Sequence, residues 1–357
     1  MFEIRGEKFK LIQGGMGVGI SGANLASAVA NEGGLGVIAS VGLNESKGYV
    51  GNYEETSARA LKDEIELAKN KMNGRGALGV NIMRPLTNYK SLVETAVDCG
   101  IKYIISGAAP SLDLPSFIIN APDVNLIPIV SSARSAEVIM KYWKNKYQYA
   151  PDAVIVEGPK AGGHLGFKPK EIFDPNFTLE KIIPEVVEAV KYYQDSSGKK
   201  IPVIAAGGIY YGADIAKFLS LGASGVQMAT RFVTTHECDA DIKFKEEYLN
   251  CLEKDIIIID SPVGKPGRAI KNKFLEEVAA GKRHPVECPY YCLISCKQND
   301  SPYCIARALV EARAGKFDNG FVFVGANAWR TKEDGIISVH EVFEKLNIEY
   351  LEGKVSS

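Results

Sequence analysis

The 357 residues are 46% hydrophobic and 24% charged, ordinary values for a folded globular chain and too apolar for a disordered one. With 42 Lys and Arg against 43 Asp and Glu, the formal charge of −1 removes any broad electrostatic case for nucleic acid or an anionic membrane. No apolar run approaches the ~18–20 residues of a membrane span. The start, Met1 to Gly6, lacks a basic segment leading into an apolar one, so a cytoplasmic protein is expected.

In chain order, eight short apolar runs rich in β-branched residues read as strands: 9–16, 35–41, 77–83, 103–108, 125–132, 153–158, 201–209 and 225–233. Several are continuous rather than alternating, as in parallel strands buried on both faces. Helical spacing fills the gaps over 23–31, 54–71, 89–98, 133–143, 179–193 and 212–221; the fourth connection, Pro110–Pro122, is only weakly helical. Eight β/α units ending near residue 235 match the ~200–250 residues of a closed (β/α)8 barrel, and their regularity favours closure over an open doubly wound sheet. Beyond Val233 the period changes. A helix is expected over 239–254, a short apolar run over 255–260, a helical, cysteine-rich stretch over 261–315, a short strand over 321–326 and a terminal helix over 338–346 with Ser338 as its N-cap. The fold class expected is α/β: a TIM barrel over residues 1–237, with a mostly helical, cysteine-containing extension, 238–357, packed on it.

In such a barrel the working residues sit at the C-terminal strand ends. Those ends carry Gly, Ala, Ser, Asn and Gln, a surface suited to a wide, flat ligand held by backbone and amides. Ala206-Gly207-Gly208 and Ala229-Thr230-Arg231 close strands seven and eight. Backbone N–H groups there, with a following helix start, form the usual phosphate site of this architecture. Asn81 and Gln227 end otherwise apolar strands, and an amide that both donates and accepts suits a ring with a mixed edge. His164, one of four histidines, stands in Gly162-Gly163-His164-Leu165-Gly166, where glycines let the loop fold over a ligand. Imidazole suits proton transfer near neutral pH, which makes His164 the catalytic candidate. Glu157 orients a loop, binds a cation or acts directly as an acid. Gly17-Val18-Gly19-Ile20-Ser21-Gly22 fits G-x-G-x-x-G, but strand two ends in Ala39-Ser40-Val41 without the acidic residue that a dinucleotide ribose needs.

Seven cysteines, an odd number, and no export signal point to reduced thiols. Cys288, Cys292, Cys296 and Cys304 are spaced C-x3-C-x3-C-x7-C. On a helix the first three share a face; free thiols, a metal or cluster, and a redox disulfide all remain open.

Taken in order, Gln13-Gly14-Gly15-Met16, Gly79-Val80-Asn81-Ile82-Met83, Glu157-Gly158, Ala161 to Gly166, Ile204 to Ile209, Val226 to Phe232 and Gly267 to Asn272 resemble the nitronate monooxygenase (2-nitropropane dioxygenase) family. The related FMN-dependent enoyl-acyl-carrier-protein reductases share nearly all of these motifs. The resemblance covers about residues 9–275 and implies non-covalent FMN at the strand ends. Its phosphate would lie on Gly207, Gly208, Ala229 and Thr230, beside Ala206 and Met228. Its ring would lie near Gly14, Gly15, Met16, Asn81 and Gln227. Glu157, Gly162 and Gly163 would complete the cofactor wall, and His164 would face flavin and substrate. The implied reaction is oxidation of an alkyl nitronate with dioxygen; the alternative is reduction of an enoyl thioester with NAD(P)H as reductant. No metal, nucleic acid or membrane partner is implied, and a homodimer is compatible with the family.

Overall fold

The computed structural model describes residues 1–284, 288, 290–294, 296 and 300–355. Eight parallel strands close into one barrel in sequence order: β1 (Ile12–Gln13), β2 (Leu35–Ala39), β3 (Ala77–Met83), β4 (Tyr103–Gly107), β5 (Asn125–Val130), β6 (Val154–Glu157), β7 (Val203–Ala206) and β8 (Gly225–Met228). The apolar runs are continuous because both faces are buried. Leu35, Val37, Tyr103, Ile105, Ile127, Ile155 and Ile204 fill the interior. Their neighbours Ile38, Ile104, Leu126, Val154, Val156 and Val203 pack outward against helices. A hairpin, Phe2–Ile4 with Glu7–Phe9, sends Phe2, Ile4 and Phe9 into the interior cluster. The predicted run 9–16 thus loses Phe9, which pairs with Phe2, and β1 itself is confined to Ile12–Gln13.

The helices follow their local signals. In Tyr53–Lys71, Asn52 accepts hydrogen bonds from the N–H groups of Glu54 and Glu55, with those two acids in the first turn and Lys69 and Lys71 in the last. The weak fourth connection contains only the 3-10 turn Leu114–Phe117. At the other end of the barrel, the run predicted to 233 stops at Met228 and turns helical over Thr230–Val233.

Past the barrel, the expected helix is Ile242–Asn250. The following stretch is less helical than expected: Ile256–Asp260 and Pro266–Ile270 pair as antiparallel strands, and Gly163–His164 joins them as a third. Among the described residues of 261–315 the α-helices are Lys273–Ala279 and Ile305–Arg313, and those from Cys288 to Cys296 are not helical, so the shared helical face is not formed. Phe323 makes an isolated bridge to Ala269 where a strand was expected. Ser338 caps the last helix, Val339–Val355, by accepting from the Glu341 N–H at 3.1 Å while Glu341 accepts from Ser338. That helix lies against Gly212–Ser220 and Ala23–Asn31, the seventh and first outer helices. The contact with Gly212 is backbone on backbone: a Cβ there would stand 2.2 Å from the Tyr350 nitrogen.

Candidate active site

One cavity of about 540 Å³ opens at the C-terminal rim of the barrel, and every residue singled out from the sequence as catalytic or cofactor-binding lines it. Strand register places three of them in a row, since Ala206 sits beside both Glu157 and Gln227. Across the barrel Asn81 stands opposite Ala39, with Gly14, Gly15 and Met16 leaving β1 nearby. The side-chain amide of Asn81 has no protein partner among the described residues. The Gln227 Oε1 atom is buried and also has none. An orphaned buried acceptor is costly, so the site suits a ligand that brings a donor.

The backbone at the end of β7 is shaped by glycines that no other residue can replace without strain. Gly207 and Gly208 have φ of +93° and +91°, a region that L side chains avoid. A Cβ on Gly207 would lie 3.0 Å from the Gly158 carbonyl oxygen, and one on Gly208 would lie 2.8 Å from the Lys160 Cβ. Ala229 and Thr230 face them from β8, and Gly325 closes this end so tightly that a Cβ there would reach 2.5 Å from Thr230 Oγ1. Asn327 donates to the Gly208 carbonyl at 2.8 Å. Arg231 takes no part: its guanidinium is turned away to a fork of hydrogen bonds with Glu349 at 2.8 Å each and a contact with Asp334 at 2.9 Å.

The decoy glycine motif is excluded on the same kind of ground. The N–H groups that begin helix Ala23–Asn31 are already taken: Gly22 and Leu25 donate to the Asp239 carboxylate at 3.0 and 3.1 Å, and Ala23 to Glu64 at 2.6 Å. No such N–H group is left for a pyrophosphate.

His164 is set by the strand pairing that brings Gly267 opposite it, and its neighbour Leu165 donates to the Pro266 carbonyl at 2.9 Å. Its Nε2 shares a 2.7 Å hydrogen bond with Ser261 Oγ, and its ring meets Phe323 edge-on at 5.0 Å. Burial, with the charge of Lys265 beside it, pulls its pKa down to about 4, so the imidazole is neutral at physiological pH. Burial acts the opposite way on Glu157, pushing its carboxyl up to about 7 against the pull of Lys265. The loop between them is clamped by Arg268, which donates to the Pro159 and Ala161 carbonyls at 2.8 and 2.5 Å.

Sequence reading missed the wall supplied from beyond the barrel. Ser261 and Lys265 sit at the two ends of the tight turn between Ile256–Asp260 and Pro266–Ile270. Phe323 to Gly325, Ile305 and Leu309 form the far wall, with Cys292 and Leu293. Only the turn signal Pro262 and Gly264 was legible, and nothing local says where that turn lands. All seven cysteines are free thiols, and among the described residues no three His, Cys, Asp or Glu side chains are placed to hold a metal ion.

The sequence model described as nitronate monooxygenase matches residues 1–349. The chain belongs to the nitronate monooxygenase family. The chain is a flavin-dependent oxidoreductase. A Mycobacterium tuberculosis protein named "(3aS,4S,5R,7aS)-5-hydroxy-7a-methyl-1-oxo-octahydro-1H-indene-4-carboxyl-CoA dehydrogenase" is 30% identical over 281 residues, spanning 79% of this chain and 68% of that one. A Staphylococcus aureus (strain JH9) protein named "Probable nitronate monooxygenase" is 28% identical over 307 residues, 76% of this chain and 78% of that one. Among solved structures, FabK from Thermotoga maritima superposes with a TM-score of 0.73 at 25% identity, covering 98% of this chain and 94% of that one. A nitroalkane oxidase from Streptomyces ansochromogenes superposes with a TM-score of 0.73, covering 98% and 97% of the two chains; at 21% identity it shows the shared fold alone. No helix among the described residues is long and apolar enough to cross a membrane.

Proposed function

We propose that the cavity holds FMN and that this family member oxidises alkyl nitronates with dioxygen. Gly207, Gly208, Ala229 and Thr230 receive the phosphate, and Gly14, Gly15, Met16, Asn81 and Gln227 receive the ring. The fit is supported by the glycine cradle at one end and the unpartnered Gln227 acceptor at the other. When bound, FMN supplies the redox chemistry, taking electrons from the substrate and passing them to dioxygen.

The observation that carries the reading is His164: a neutral imidazole fixed at the cavity wall by Ser261, on a loop that Arg268 clamps. It orients a nitronate or takes the α-proton of a neutral nitroalkane. Leu293, Ile305 and Leu309 give the substrate an apolar wall.

Enoyl-thioester reduction with NAD(P)H is the second reading, and similarity to FabK and to a dehydrogenase of a CoA ester favours it. Anaerobic mixing of the purified holoprotein decides between them. Bleaching of the flavin bands by propyl-2-nitronate, with oxygen uptake on admission of air, supports the first. Rapid bleaching by NADH or NADPH without a response to nitronate replaces it with the second, and a colourless protein that takes up no FMN ends both.

A further inference from the structure

We propose that Lys265 is the anion-holding residue of this site, its ammonium gripping the two oxygens of an anionic nitronate beside His164. The assignment rests on the nitronate reading of the cavity and adds to it a residue that the sequence did not single out.

Lys265 is delivered by tertiary structure. Ser261 donates from its N–H to the Lys265 carbonyl at 3.1 Å, and Gly264 to the Ser261 carbonyl at 2.9 Å, so the turn between the two strands is closed on itself. Because Gly267 pairs with His164, that turn can only land next to the imidazole. One end of it bonds the His164 ring through Ser261, and the other puts Lys265 on the cavity wall.

The ammonium is under-partnered. One of its three donors goes to the Ala108 carbonyl, and among the described residues no carboxylate approaches within 4.0 Å. A half-buried cation without a contacting anion is expensive, and a ligand anion relieves that cost. Lys160 is the other Lys or Arg lining the cavity, and its stem lies over Gly208, at the phosphate end. His164 is neutral. The positive charge available to a substrate anion is therefore that of Lys265. A nitronate spreads its charge over two oxygens, which two free N–H donors can address together while the neutral imidazole keeps a nitrogen for the carbon end.

Comparison of wild type with Lys265→Met and Lys265→Arg tests this. Isothermal titration with propionate, an unreactive two-oxygen anion, should show affinity about tenfold weaker in Lys265→Met and largely restored in Lys265→Arg. In steady state the KM for propyl-2-nitronate should rise about as much, while the KM for neutral 2-nitropropane, the flavin content and the melting temperature stay unchanged. Equal losses for anion and neutral substrate, or unchanged propionate affinity in Lys265→Met, would overturn the assignment and leave Lys265 as a prop for the Ala108 carbonyl. The propionate titration needs neither flavin nor turnover. A wild type that binds propionate through Lys265 yet ignores nitronate would sink the proposed reaction and spare the residue.

Discussion

Two buried groups at this rim are displaced in opposite directions by the same cause, and one of them, Glu157, predicts a pH response near neutrality. Glu157 has its carboxyl raised to about 7 and faces Lys265, with His164 the other titratable group beside that lysine. Below pH 7 Glu157 is protonated and the lysine charge is unopposed. Above pH 7 the carboxylate competes with any ligand anion. Propionate affinity should thus weaken as pH rises from about 6 to 8 and become flat over that window in Glu157→Gln, as read by titration at each pH. His164 titrates near 4 and so contributes nothing in that window. Its removal is expected to act on turnover instead: His164→Ala should lower kcat with neutral 2-nitropropane by about 10²–10⁴-fold while holding its flavin, checked by steady-state rates and the absorption spectrum. At this scale the sequence was unusually readable. Glycines, amides and one histidine at strand ends are residues the barrel core has no use for, so their placement betrayed the rim. Lys265 and Ser261 carried no such mark, because a lysine in a surface-like turn is ordinary until something buries it.

Among the elements, the three-stranded unit of Gly163–His164, Pro266–Ile270 and Ile256–Asp260 couples the chain beyond the barrel to the chemistry. Ser261→Ala should leave flavin binding intact and lower kcat about five- to tenfold, the value of one lost hydrogen bond on the imidazole, with little change in KM. A drop in flavin content instead would mean that the unit supports the cradle and not the histidine. Replacing Gly208 with Val should do the reverse: the side chain meets Lys160 in a backbone region that Val avoids, and the purified protein should lose most of its flavin absorbance. These elements were the least legible. Period-two and period-3.6 patterns identify strands and helices, and they located all eight barrel strands. They do not say that Gly163–His164 will borrow a partner about a hundred residues away, nor that Phe9 will leave the predicted first strand to pair with Phe2.

For the whole molecule, the helix Val339–Val355 is the piece that joins the first and seventh outer helices. Arg231, 3% exposed, depends on Glu349 from that helix and on Asp334 just before it. Glu349→Ala should cost about 3 kcal/mol, the low end for a broken buried pair because Asp334 remains, measured by urea unfolding. Sequence reading foresaw the helix and its Ser338 cap. It placed the helix on the outside of the barrel as an extension, since nothing in its own residues says that it lies between the first and seventh outer helices.

That location has a consequence for how the molecule is made. A ribosome releases the chain from its amino end, so Ala23–Asn31 and Gly212–Ser220 emerge with an open seam between them and Arg231 still without Glu349. The seam stays open until residues 339–355 have been made. A nascent or prematurely terminated product would display greasy groove and bare guanidinium alike, a natural target for holdase chaperones and proteases until the closing stave arrives.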